Sequence, residues 1–262
     1  MSNRSDNTIV VTGRGGTGKS TFTALMARYF GEIGLTPLLL VDSDPDESLA
    51  EMMGIDLKAK NKKSIADVLA EILEERKMTT RVGMSPTEKI EPFLFQETLY
   101  EGDGFFDFIG VGTKWIEGCY CLPDHSLGQI MARWSKNYEY VLVDSPAGVE
   151  HLNRKITKKV KDVFNILDAS KKSIDNATRT YKVMRDVGIV FENYYLVGGN
   201  TFSQEFQNDT RKQPFRYLGR IEFDEDVRNF NITGQSLLEL PSTSPSYISV
   251  KRILEEAGYV PR

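Results

Sequence analysis

The chain has 262 residues, 40% of them hydrophobic and 27% charged, which excludes collagen-like, low-complexity and wholly disordered classes. Its net charge of −4 argues against binding nucleic acid through bulk charge, and no apolar run is long enough to span a membrane. Two cysteines cannot make a disulfide framework, and the polar opening MSNRSDN leads straight into a strand-like segment with no signal peptide, so a cytoplasmic protein is expected.

Thr8–Thr12 (TIVVT) is a β-branched run ending at glycine, the pattern of a buried parallel strand. Phe22, Met26, Tyr29 and Ile33 then recur at helical spacing, predicting a helix from Ser20 to Ile33 with Gly34 as its stop. Pro37–Val41 is a second apolar run, and Asp46 beyond it reads as the N-cap of a helix over Glu47–Met53. The basic stretch Lys58–Lys63 reads as a solvated loop or helix end. Ser64–Leu73 predicts a helix capped by Ser64, with Asp67 three residues on. Further strands are expected at Phe93–Leu99, Phe105–Ile109, Tyr140–Val143, Val163–Leu167, Tyr194–Val197 and Tyr217–Ile221. Ser173–Val187 places Ile174, Ala177, Tyr181 and Met184 on one helical face. Ser246–Ala257 does the same with Val250, Ile253 and Leu254, and its few cations suit packing on the core better than membrane binding. Apolar strands alternating with amphipathic helices predict an α/β fold, a mostly parallel twisted sheet flanked by helices. No repeat or Gly/Ser/Pro-rich linker divides the chain, so 1–262 is expected to form a single domain.

The strongest motif is Gly13-Arg14-Gly15-Gly16-Thr17-Gly18-Lys19-Ser20, which fits G-x-x-x-x-G-K-[ST] between an apolar strand and an amphipathic helix. Glycines let consecutive backbone N–H groups and the helix N-terminus wrap a phosphate. The nucleotide loop is thus Gly13 to Ser20 with Thr21 following; Lys19 reaches the β- and γ-phosphates and Ser20 ligates Mg²⁺. Such a site draws carboxylates from the carboxyl ends of neighbouring strands. Asp144, after the strand Tyr140–Val143, is the expected Mg²⁺ partner, and Gly148 approaches the γ-phosphate. Of the carboxylates after Val41, Asp44 is expected to orient the attacking water and Asp42 to join the metal shell. No Asn-Lys-x-Asp motif reads guanine, which favours ATP, and Asn200 is a candidate base contact or a turn residue.

Cys119 and Cys121 are the only cysteines, one residue apart. In an extended segment both thiols face one way, yet two thiolates do not complete a tetrahedral soft-metal site. A second copy across a twofold axis would supply the other two. Two small buried residues or a strained disulfide are the alternatives.

Together, Gly13–Ser20, Asp42–Asp46 and Asp144–Gly148 resemble the MinD/ParA and nitrogenase iron-protein class of dimerising P-loop ATPases, with its deviant Walker A loop. Cys119-Tyr120-Cys121 and Ala147–Leu152 resemble, within it, the CooC type of nickel-insertion ATPase that matures carbon monoxide dehydrogenase. The resemblance implies a nucleotide- and metal-promoted homodimer that hydrolyses ATP with Mg²⁺. It would carry Ni²⁺ (or Zn²⁺) between Cys119 and Cys121 of two copies and release it to the apo-dehydrogenase, with no nucleic-acid or membrane partner. It also implies that Asp168, Asn200 and Phe223 occupy the places where the class contacts base or ribose. Arg14 stands where the class carries a lysine that reaches the partner's phosphates, giving it a catalytic part beside Lys19 and Asp44. Arginine keeps the charge but presents a planar fork. Two other functions fit parts of this pattern: a MinD/ParA-like positioning or partition switch, and an iron–sulfur reductase like the nitrogenase iron protein.

Overall fold

The computed structural model describes residues 7–44, 47–74, 86–102, 104–112, 121–146, 159–203 and 215–261. The apolar run after Asn7 forms β1 (Thr8–Gly13), every residue of it buried, and the chain turns directly into α1 (Lys19–Glu32). β2 (Leu38–Asp42), β4 (Phe106–Gly110), β5 (Tyr140–Asp144), β6 (Lys159–Leu167), β7 (Val190–Gly198) and β8 (Arg216–Arg220) run parallel to it, and the short β3 (Tyr100–Glu101) is antiparallel to β4. The eight-stranded order is β3-β4-β2-β5-β1-β6-β7-β8. β1 lies between β5 and β6, and the register of β2 with β5 sets Asp42 beside Asp144. Because these strands are parallel, the segments that follow them all emerge along one carboxyl rim.

Two apolar clusters cover the faces of the sheet. The first gathers Phe22, Met26 and Phe30 of α1 with Leu49 of α2 (Ser48–Met52) and Val250 and Leu254 of the C-terminal helix. The second gathers Ile65 and Val68 of α3 (Ile65–Glu74), Ile90 and Leu94 of α4 (Pro86–Thr98), Ile130 of α5 (Cys121–Trp134), and Ile174, Ala177 and Met184 of α6 (Lys171–Asp186). α7 (Glu225–Thr233) lies over the first side with Val227 and Phe230 half-buried, and α8 (Pro245–Glu256) buries Val250, Ile253 and Leu254 as expected.

Most expected elements stand within a residue or two, though β6 and β7 begin four residues earlier than their most apolar stretches. The exception is Phe93–Leu99, expected as a strand, which belongs almost wholly to α4. Phe93-Leu94-Phe95 is a short continuous apolar run, which a buried strand and a helix segment share. The buried set is Ile90, Leu94 and Thr98, four residues apart, while both phenylalanines stay exposed. Ser64 caps α3 as expected: its hydroxyl accepts from the Asp67 N–H (3.1 Å) and donates to the Asp67 carboxylate (2.8 Å). Lys58 and Lys60 are exposed on a turn, as a solvated loop requires. Among the described residues, no helix is long and apolar enough to cross a membrane.

Candidate nucleotide-binding site

The loop between β1 and α1 has the backbone of an anion cradle. Gly13 holds φ +148°, and a Cβ there would sit 2.4 Å from the Ile166 carbonyl oxygen of β6, so only glycine fits. Gly16 and Gly18 are left-handed, and Gly18 leads directly into the first turn of α1, whose N–H groups face the loop. The Thr17 hydroxyl donates to the Arg14 carbonyl (2.9 Å), closing the turn from inside. Lys19 is 6% exposed; its Nζ donates to the same carbonyl (3.4 Å) and lies 3.6 Å from the Asp44 carboxylate. Lys19 and Asp44, expected as separate functional groups, are thus an ion pair here.

The neighbouring carboxylates differ sharply. Asp42 accepts from the Asp44 N–H and the Leu49 N–H, both at 3.0 Å, so its two oxygens hold the turn after β2 and the start of α2. Asp46, expected to cap this helix, lies outside the described residues; α2 starts from Glu47 with no side-chain cap there, and Asp42 supplies the accepting oxygen. Burial pushes the Asp42 carboxyl up to about 7, against the pull of its two N–H donors. Asp144 has no exposed surface, and neither of its oxygens has a hydrogen-bond partner of full geometry. Burial first and the charge of Asp42 second push it up to about 8, while the Ser20 hydroxyl and Lys19 work in the opposite sense. The Ser43 hydroxyl and N–H both donate to the Asp144 carbonyl (2.7 and 3.0 Å), tying the ends of β2 and β5 together.

A buried carboxyl group without a hydrogen-bond partner of full geometry, beside a serine hydroxyl and a lysine, is a place that a cation can fill. The donors at Ser20 and Asp144 are the hard oxygens Mg²⁺ takes, so the residues present fit that ion. Asp42, with each oxygen accepting one main-chain N–H, shapes the segment between β2 and α2.

Arg14 turns away from the phosphate cradle. Its guanidinium donates to Asp168 (2.6 Å) and to the Ser170 hydroxyl (2.9 Å) at the start of α6. Asp168, expected at the base or ribose, is held by Arg14 and accepts from the Ser170 N–H (2.8 Å). Sequence reasoning missed Gly199: a Cβ there would lie 2.4 Å from the Thr17 carbonyl oxygen, so the turn after β7 leans on the phosphate loop. The Gly198-Gly199 pair ending a strand was the available signal. That contact brings the exposed Asn200 to the nucleotide end of the rim, where Phe223, 58% exposed after β8, also emerges. Thr21 sits on α1 with its hydroxyl 3.9 Å from the Met52 sulfur. Gly148 and Cys119 lie outside the described residues; Cys121 is the first residue of α5, and its side chain is likewise outside them.

An uncharacterised ATP-binding protein of Methanocaldococcus jannaschii is 29% identical over 255 residues, covering 95% of this chain and 97% of its own. The carbon monoxide dehydrogenase accessory protein CooC of Rhodospirillum rubrum is 28% identical over 270 residues, again covering 95% and 97%. In shape the chain matches the septum site-determining protein MinD of Pyrococcus horikoshii, solved with Mg-ADP, with a TM-score of 0.66 at 18% identity over 96% of this chain and 95% of that one. The CobQ/CobB/MinD/ParA nucleotide binding domain matches residues 8–237, a span that takes in the phosphate loop, Asp42, Asp44 and Asp144, and the chain belongs to that family.

Proposed function

We propose that this chain is a single-domain, dimerising ATPase that carries nickel, bound between Cys119 and Cys121 of two copies, to carbon monoxide dehydrogenase or a related nickel enzyme. The observation that carries the ATPase part is the orphaned Asp144 carboxylate beside Ser20 and Lys19. Ser20 and Asp144 would hold Mg²⁺, which would supply neutralising charge to the phosphates, and Lys19 would reach the terminal phosphates. Because Lys19 pairs with Asp44 at 3.6 Å, phosphate oxygens that take Lys19 release the Asp44 carboxylate to orient the attacking water. Asp42 keeps the Asp44 turn in place through its two main-chain contacts. Asn200 and Phe223, exposed after β7 and β8, would contact the base.

Metal carriage is supported by the end-to-end likeness to CooC and by the spacing of the chain's only two cysteines. A MinD/ParA-like positioning or partition switch is the second reading, favoured by the shape shared with MinD. It would use a membrane-seeking helix or a basic DNA surface; α8 places its apolar residues in the core, and the cysteine pair has no part in this reading. Titration of purified protein with Ni²⁺, with mass in solution measured with and without a slowly hydrolysed ATP analogue, separates these readings. Nickel carriage expects about one Ni²⁺ per two chains, lost in Cys119→Ala or Cys121→Ala. Nickel affinity unchanged in both variants leaves the switch. A brown, iron-containing protein points to the iron–sulfur reductase instead.

A further inference from the structure

α6 opens against its own dipole. Lys171 and Lys172 are cations in the first turn of a 16-residue helix that has no carboxylate there, a placement disfavoured by roughly 0.3–1 kcal/mol per charge. Arg179, Lys182 and Arg185 follow, against only Asp175 and Asp186, in a chain whose net charge is −4. Lys172, Asn176 and Arg179 share one helical face and, with Arg14 and Asp175, line an open groove of about 290 Å³. The groove is therefore cationic and reaches the phosphate loop through Arg14.

The opposite charge stands elsewhere on the same rim. The turn after β8 and the start of α7 expose Glu222, Glu225 and Asp226. α7 has no fully buried residue, and Phe223 and Ile232 are 58% and 72% exposed. In-chain pairs from Arg220 to Glu222 (2.6 Å) and Arg228 to Glu225 (3.2 Å) are exposed, and such pairs are worth only about 0–1 kcal/mol each. α6 packs on one side of the sheet and α7 on the other, so within one chain the sheet separates the two patches.

We infer that the two patches are halves of one self-complementary interface: the α6 groove of each copy receives the partner copy's acidic 222–226 turn. In a twofold contact residue i of one copy meets residue j of the other and j meets i, so two patches lying off the axis answer each other reciprocally. An axis lying in the rim along the row of strand ends keeps β1 opposite β1 and exchanges the sides of the sheet. It sets the α6 side of one copy over the α7 side of the other while phosphate loop faces phosphate loop. A second copy is the occupant because the cationic groove and the exposed carboxylates that complement it stand on the same rim of the same chain. The inference rests on the nucleotide-driven dimer proposed above and adds the charges that set its register and speed its closure.

Charge reversal tests it on the full chain, by sedimentation with a slowly hydrolysed ATP analogue. Lys172→Glu/Arg179→Glu and Glu225→Lys/Asp226→Lys should each weaken the dimer at least about tenfold, because like charges then meet at both contacts. Each should still bind a fluorescent ATP analogue with unchanged affinity. An equimolar mixture of the two restores both contacts, so it should recover a heterodimer within about threefold of the unmodified affinity. The neutral pair Lys172→Gln/Arg179→Gln, expected to weaken the dimer by a smaller factor, covers the case in which reversal compromises folding. Dimers unchanged in the reversed and neutral variants, or weakened dimers that mixing does not restore, overturn the inference and leave the ATPase dimer standing. An unmodified chain that stays monomeric with the analogue overturns the dimer reading itself, and this interface with it.

Discussion

Asp144 is fully buried, its oxygens lack hydrogen-bond partners of full geometry, and its carboxyl is pushed up to about 8, with Asp42 nearby pushed up to about 7. An acid whose folded pKa lies above its unfolded value binds a proton on folding, so stability falls as pH rises between the two values. For ligand-free protein in chelator, the urea midpoint should therefore fall from about pH 5 to about pH 8. Asp144→Asn, which cannot ionise, should remove roughly 1–3 kcal/mol of that fall. A midpoint that climbs over this interval contradicts a protonated resting site. The ion pair of Lys19 and Asp44 separates two roles by kinetics. Lys19→Ala should lose nucleotide binding, whereas Asp44→Asn should bind ATP and turn it over about 10²-fold more slowly or worse. Equal loss of binding in both would mean that Asp44 serves only to hold the lysine.

At the level of elements, legibility in the sequence followed how local the cause is. β1, β2 and β5 are continuous apolar runs closed by turn residues, and the phosphate loop is written in eight consecutive positions, so both were readable. The Arg14–Asp168 contact joins positions 154 apart, and Gly199 meets Thr17 only through the fold, so neither leaves a local pattern. α4 was misread because the short apolar run Phe93-Leu94-Phe95 suits a buried strand as well as a helix, and only the burial of Ile90, Leu94 and Thr98 exposes the helical period. That distinction is measurable. Leu94 is 1% exposed and Phe93 is 56% exposed, so Leu94→Ala should cost about 2–4 kcal/mol and Phe93→Ala within about 0.5 kcal/mol. Comparable costs at the two positions would restore the strand. Ser64→Ala should likewise cost about 1 kcal/mol through loss of the cap on α3.

Across the whole molecule, the parallel sheet delivers the phosphate loop, Asp42, Asp144, Asp168, Asn200 and Phe223 to one rim, and Arg14 links two of its segments. Its guanidinium is held at 2.6 Å by Asp168, so the resting chain ties the phosphate loop to α6. With side chains 41% and 22% exposed, the pair is solvent-screened and contributes at most about 1 kcal/mol. Asp168→Asn should thus leave the unfolding free energy within about 1 kcal/mol of its starting value while removing the charge that holds Arg14, which keeps only its contact with the Ser170 hydroxyl. If Arg14 reaches the phosphates held by a partner copy, its release removes a competitor from the dimerisation equilibrium, and with one such tie broken in each copy, about 2 kcal/mol in all, that competition weakens the dimer about thirtyfold at most. The dimer dissociation constant measured with a slowly hydrolysed ATP analogue should fall accordingly, with nucleotide affinity of the monomer unchanged. Loss of nucleotide affinity instead assigns Asp168 to the base or ribose. A dimer weakened with nucleotide affinity intact shows that the Arg14–Asp168 tie belongs to the closed state, with α6 positioned by it for the partner.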